Sequence, residues 1–249
     1  MKTSIMSKNS FLIIGSIIIF YLLFLLGSVY FNNQIVFPHP NQVLRALLQL
    51  FSELGTYQIF GMTFLRLSTS LLISFALAFG LALLSYMSES FRKLIRPTVM
   101  FFRSIPVVAI IVIIWAMFGA GRAPFVITTL MVFPVIYQAL YQGLKNIKKE
   151  YLEVYSLDSG LTPLVFRIVF LPLMSPFIKT AFFQALGLGI KVTVMSEFIV
   201  QSDYSIGREI SRYRNLLQFD FIFAWVIILV LIIASIEYLA KQVLKNKAE

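Results

Sequence analysis

Long apolar runs alternate with short polar intervals along the chain, and the length of the runs predicts helices that cross a membrane. The first, Phe11 to Phe31, follows Lys2 and Lys8 and is longer than the roughly 7 to 15 apolar residues of a cleaved signal core, so it reads as a retained span. From Phe37 to Phe60, Pro38 and Pro40 punctuate the chain, and Val43, Leu44, Leu47, Leu48, Leu50 and Phe51 then recur at helical spacing among polar residues. That pattern predicts an amphipathic helix lying in the membrane interface. Further spans are predicted at Leu65 to Met87, Pro97 to Phe118, Phe125 to Leu144, Leu173 to Ser196 and Phe221 to Leu239. Between them lie a basic connection at Ser88 to Arg96, a short GAGRAP turn at Gly119 to Pro124, a long polar interval at Leu144 to Pro172, and a segment from Glu197 to Asp220 polar enough to leave the hydrocarbon. The expected fold is an all-α integral membrane bundle of six spans, one domain over residues 1–249, with both ends on one side.

Two of these spans carry small residues at intervals of four: Ser70, Ser74, Ala78 and Ala82 in one, Ala181, Ala185 and Gly189 in another. Small faces let helix backbones approach closely in lipid, either within the chain or between subunits. Pro106 and Pro134 fall inside predicted spans, where each lacks a donor and clashes with the preceding turn, so each is expected to kink or interrupt its helix. Such a break lines a pathway in some membrane proteins and is a packing kink in others.

Composition narrows the chemistry. The chain is 59% hydrophobic and only 13% charged, with a mean hydropathy of +0.87, beyond the range of an ordinary soluble domain. There is no cysteine, which excludes disulfide frameworks and thiolate metal sites, and the single histidine, His39 in FPHPNQ, cannot build a metal site alone. The formal charge of +10 is assigned to membrane topology rather than to nucleic acid. With six spans, Lys2, Lys8, Arg92, Lys93, Arg96, Lys145, Lys148, Lys149, Lys241, Lys245 and Lys247 share one face, and Arg45, Arg122, Arg208, Arg212 and Arg214 the other. The positive-inside rule then places both termini and the long interval in the cytoplasm. No GxxxxGK[ST] phosphate loop is present, nor a GxGxxG, and one loop histidine cannot serve a serine–histidine triad, so neither catalysis nor a bound cofactor is expected. Glu237, near the end of the last predicted span, is the one carboxylate within any of them, with Glu197 just beyond the span at Leu173 to Ser196, whereas ion-driven carriers usually need intramembrane carboxylates. The energy source is expected in another subunit.

The interval LKNIKKEYLEVYSLDSGLTPLVFRIVFLP is long for a connection between spans. Leu144 to Leu157 reads as an amphipathic helix ending at Asp158, Ser159 and Gly160, where glycine tolerates a left-handed turn. Thr162 then offers an N-cap and Pro163 the favoured first helical position for a second, apolar helix that stops before Pro172. A helical hairpin on a cytoplasmic loop is predicted, with a second helix that must be covered by membrane or partner.

This interval resembles the coupling loop of the permease subunits of bacterial ATP-binding-cassette importers, whose pattern is EAA, three residues, G, nine residues, I, one residue, LP. Glu153 takes the E position, Val154 and Tyr155 stand for the alanines, Ser159 falls where the glycine belongs with Gly160 one place later, and Val169, Leu171 and Pro172 complete the pattern. FPHPNQVLRALL at Phe37, FFRSIPVVAIIVIIWAMFGAG at Phe101 and KVTVMSEFI at Lys191 look most like the nitrate, sulfonate and taurine branch, covering Phe37 to the C-terminus. Other members of that branch are associated with riboflavin, thiamine-precursor or bicarbonate uptake. The resemblance implies a type I importer permease in the bacterial cytoplasmic membrane, forming the solute pathway with a second permease subunit, expected to be the same chain. It further implies a cytoplasmic ATPase subunit carrying the ATP and magnesium, and an extracytoplasmic solute-binding protein. Glu153 would engage the ATPase, Ser159 and Gly160 would turn the hairpin, and Pro172 would lead it back into the membrane.

Ionisable or helix-breaking residues in or beside spans are candidates for the pathway: Arg103, Pro106, Lys191 and Glu197. Arg103, like Lys179, lies near a cytoplasmic end where snorkelling is an alternative. For Lys191, six residues before Glu197, an internal ion pair competes with a solute contact. Alternative readings of the whole are the coupling subunit of a vitamin importer without an external binding protein, a membrane scaffold, and a membrane enzyme, which the missing catalytic cluster disfavours.

Overall fold

A computed structural model describes residues 15, 18–19, 21–31, 33, 35–147 and 171–245, with side chains to residue 242. The described residues are helical almost throughout, with no strand among them. The chain divides into two compact units, Met1–Tyr57 with Ile210–Ile228, and Gln58–Glu209 with Leu229–Glu249.

The first unit holds helix α1 (Tyr21–Phe31) and helix α2 (Pro40–Ser52). His39 is the N-cap of α2: its backbone N–H donates to Gln42 Oε1 at 2.8 Å, its Nδ1 accepts from Asn41 N, and Pro40 occupies the first turn. The lone histidine is thus a capping residue. The amphipathic reading of α2 holds, with Val43, Ala46 and Leu50 buried, but the helix stops at Ser52 instead of running to Phe60. Glu53 takes an extended backbone there, and a new helix begins at Leu54. The Phe37 ring packs on Phe24 and Phe223 at centroid distances of 4.8 and 5.5 Å, and Gly27 leaves room for it, since a Cβ there would lie 2.9 Å from its Cζ.

The second unit is built on helices α3 (Leu54–Met87) from Gln58, α4 (Glu89–Ser104), α5 (Val107–Lys145), α6 (Leu171–Val200), the start of α7 (Ile206–Asn215) as far as Glu209, and α8 (Phe219–Lys245) from Leu229, the rest of α7 and α8 belonging to the first. α3, α5, α6 and Phe219–Gln242 of α8 are each long and apolar enough to cross a membrane. Of the predicted span at Phe11 to Phe31, residues 15, 18–19 and 21–31 are described and are helical.

Two predicted boundaries need correction. The span expected from Pro97 to Phe118 is divided, because α4 carries Pro97 in its interior and ends at Ser104, and Pro106 is the N-cap of α5, not an interior residue. A cap position suits proline, which lacks the N–H that a helix interior would require. The GAGRAP segment is not a loop either. Its residues are helical apart from Gly119, whose φ of 72° and ψ of 172° break α5 into the arms 107–118 and 120–145. A straight helix of 39 residues would run about 58 Å, nearly twice the bilayer core, so the break is required for both arms to stay in the bundle. One apolar core takes Ile110, Ile111 and Ile114 from before the break, Ala123, Ile127 and Met131 from after it, and Val192 and Val200 from α6.

Both small-residue faces turn inward. Ser70, Ser74, Ala78 and Ala82 are fully buried, as are Ala181 and Ala185. The Ser70 hydroxyl donates to Phe125 O at 3.1 Å and the Ser74 hydroxyl to Thr129 O at 2.9 Å, drawing α3 onto the second arm of α5. A Cβ on Gly189 would meet Leu67 Cδ1 at 2.8 Å. The close packing is therefore helix against helix within the chain.

Candidate functional site

The helices on either side of residues 148–170 are held side by side. α5 ends at Lys145 with Asn146 as C-cap, and α6 opens at Leu171 and Pro172. Gly143, near the end of α5, is buried against Phe177 on α6, so that an added Cβ would sit 2.9 Å from the Phe177 Cβ. Leu140, Leu144 and Met174 close the same region with at most 1% exposure. The two helices that flank residues 148–170 are therefore packed against each other at those ends. Glu153, Val154, Tyr155, Ser159, Gly160 and Val169 lie outside the described residues, while Leu171 and Pro172 form the first turn of α6.

The pathway candidates do not form one group. Lys191 is exposed on α6, whereas Glu197, six residues later, is fully buried. Six residues place side chains about 120° apart around a helix, so the two face different surroundings and do not pair. Glu197 instead binds Arg66, a residue of α3 that the sequence reading passed over. Arg66 Nη1 donates to Glu197 Oε1 at 3.0 Å, and Arg66 Nη2 donates to Asp203 O at 2.7 Å. Thr63 Oγ1 donates to Glu197 Oε2 at 3.1 Å and accepts from Ile206 N at 3.1 Å, and Gly207 N approaches the same carboxylate oxygen at 3.4 Å. The carboxylate therefore ties α3, α6 and the start of α7 together. Gly207 permits this: a Cβ there would lie 2.3 Å from Phe198 N and 2.5 Å from Val194 O. The sequence did contain a signal, an arginine one residue inside an apolar span, where a charge needs a partner.

Around this node further buried polar groups pair between helices. Thr128 and Thr193 share a hydrogen bond at 2.9 Å between α5 and α6, and Tyr137 donates to Ser85 at 2.9 Å between α5 and α3. Arg103, in the last turn of α4, donates to Gln138 of α5, and Pro106 begins the next helix.

Residues 71–246 match the family described as the binding-protein-dependent transport system inner membrane component. The chain belongs to this family. The permease is 25% identical over 212 residues to a putative ABC transporter permease protein of Methanocaldococcus jannaschii, covering 82% of this chain and 79% of that protein. It is 28% identical over 201 residues to a probable ABC transporter permease protein of Haemophilus influenzae, covering 78% of this chain and 79% of that one. Its fold resembles a chain from the inward-facing MetNI methionine ABC transporter, with a TM-score of 0.63 and 19% identity over 77% of this chain and 94% of that one. The permease is thus a multi-pass membrane subunit of an ABC transporter, with the importer-type helical bundle expected from its sequence.

Proposed function

We propose that this permease carries solute inward across the bacterial cytoplasmic membrane as one of a pair of identical subunits, driven by a separate ATPase that binds ATP and magnesium and supplied by an extracytoplasmic binding protein. The observation that carries the reading is the extent of the family match, residues 71–246, which spans the whole coupling interval together with the helices that root it. In this reading residues 144–172 dock on the ATPase, with Glu153 making the charged contact and Ser159 and Gly160 turning the hairpin. Closure of the ATPase pair is then passed through the Gly143–Phe177 root into α5 and α6. The positive-inside distribution places both termini and the interval in the cytoplasm.

We assign the solute to the classes of the nitrate, sulfonate and taurine branch, on the strength of the FPHPNQ, FRSIP and KVTVMSEFI segments. Of the four pathway candidates, Pro106 at the break before α5 and Lys191 on the exposed side of α6 keep that role. Glu197 is committed to Arg66, and Arg103 faces a different cavity. The test is purification of the tagged permease from its native membrane in mild detergent, with crosslinkers directed at residues 144–172. An ATPase subunit is expected among the partners; recovery of none by either route sinks the coupling assignment.

A further inference from the structure

We propose that the cavity between α4 and α5 is a binding site for the phosphate headgroup of an anionic phospholipid. The cavity has a volume of about 420 Å³ and is lined by Arg92, Arg96 and Arg103 from α4 and Lys145 from α5, with no carboxylate among its lining residues. Arg92 Nη1 donates to the Tyr141 hydroxyl at 2.7 Å and Arg103 donates to Gln138. Both acceptors are neutral, so these bonds orient the guanidinium groups without cancelling their charge. The bond to Tyr141 also pushes the Arg92 pKa upward. α4 contains one acid, Glu89, and its carboxylate pairs with Lys93 at 3.5 Å, outside the cavity. Four like charges around one space repel each other until an anion sits among them, and guanidinium forks suit phosphate oxygens.

The occupant is amphiphilic because the cavity is. Val99 and Met100 line it beside the cations, and Met100 is 57% exposed. A headgroup among the arginines leaves an acyl chain against Val99 and Met100, the arrangement of a lipid at the membrane interface. A free inorganic anion would use the cations and leave the apolar wall without a role. The inference goes beyond the transport reading and holds for either orientation of the chain.

The test uses the full chain, delipidated in detergent and titrated with phosphatidylglycerol or phosphatidylcholine, with retained lipid read by native mass spectrometry. Phosphatidylglycerol is expected to be retained preferentially, and Arg92→Gln with Arg96→Gln should weaken its binding by about 25-fold, roughly fivefold per cation. Lys145→Gln, on the other helix, should weaken it about fivefold and covers the event that the double variant misfolds. Lys93→Gln, outside the cavity, should change it by less than about twofold. Equal retention of the two lipids overturns the proposal, as does an equal loss on Lys93→Gln, which reports only diffuse surface charge. Displacement of phosphatidylglycerol by inorganic phosphate at equal concentration also overturns it, by assigning the cavity to a free anion.

Discussion

Arg66 and Glu197 stand 131 positions apart in the chain and meet at 3.0 Å, with the carboxylate fully buried and the arginine side chain 11% exposed. A buried charge that loses its partner is left in a medium that cannot solvate it, which costs about 3–5 kcal/mol, whereas removing both charges is often nearly neutral. Glu197→Ala and Arg66→Ala should each lower the unfolding midpoint in detergent strongly, and Arg66→Met with Glu197→Met should recover most of the loss. Additive effects in that cycle would show that the pair is not the unit holding α3 to α6.

The break in α5 gives a second expectation. At Gly119 a Cβ meets nothing within 4 Å, so Gly119→Ala removes no space; its cost is conformational, because φ 72° with ψ 172° is open only to glycine. A loss of about 1–3 kcal/mol is expected. Gly121→Ala, two residues on in helical backbone and equally open, should be neutral or stabilising by about 0.5–1 kcal/mol. Thermal melts of the two variants separate backbone strain from crowding, and equal midpoints would contradict the geometry at Gly119.

Crowding itself should rank the tight glycines. Alanine at Gly207 would press on backbone atoms at 2.3 and 2.5 Å that cannot yield without moving α6 against α7, so Gly207→Ala should be the most damaging. Gly143→Ala meets the stiff root of the Phe177 side chain, and Gly189→Ala meets only the end of Leu67, which can rotate away, so the order of destabilisation should be 207, 143, 189. Expression level and melting midpoint of the three variants check the order.

Transmission through the coupling root predicts a functional split. In the assembled transporter, Glu153→Lys and Gly160→Val should abolish solute uptake while the purified permease keeps its melting midpoint. ATPase activity should persist without uptake. Unchanged uptake in both variants would remove these residues from the coupling role.

Much of this was legible beforehand. Period and length of the apolar runs located α2, α3, α6 and α8, and the four-residue spacing of Ser70, Ser74, Ala78 and Ala82 marked a face that is indeed buried. The failures share a cause. Pro97 and Pro106 look alike as helix breakers in the sequence, yet one sits inside α4 and the other caps α5, because what decides is whether neighbouring helices accommodate the missing hydrogen bond. The GAGRAP segment has the composition of a turn, and five of its six residues are helical, since the direction change is made by Gly119 alone.

Composition and hydrophobic period were enough to establish a helical membrane protein, because lipid forces every span to satisfy its own backbone and to be long enough to cross. They did not establish the pairing of charges. Lys191 and Glu197 are near neighbours in sequence and share no bond, while Arg66 reaches Glu197 from a different helix. Which buried charge meets which depends on how helices far apart in the chain are rotated and packed, and the chain's linear order carries no record of that.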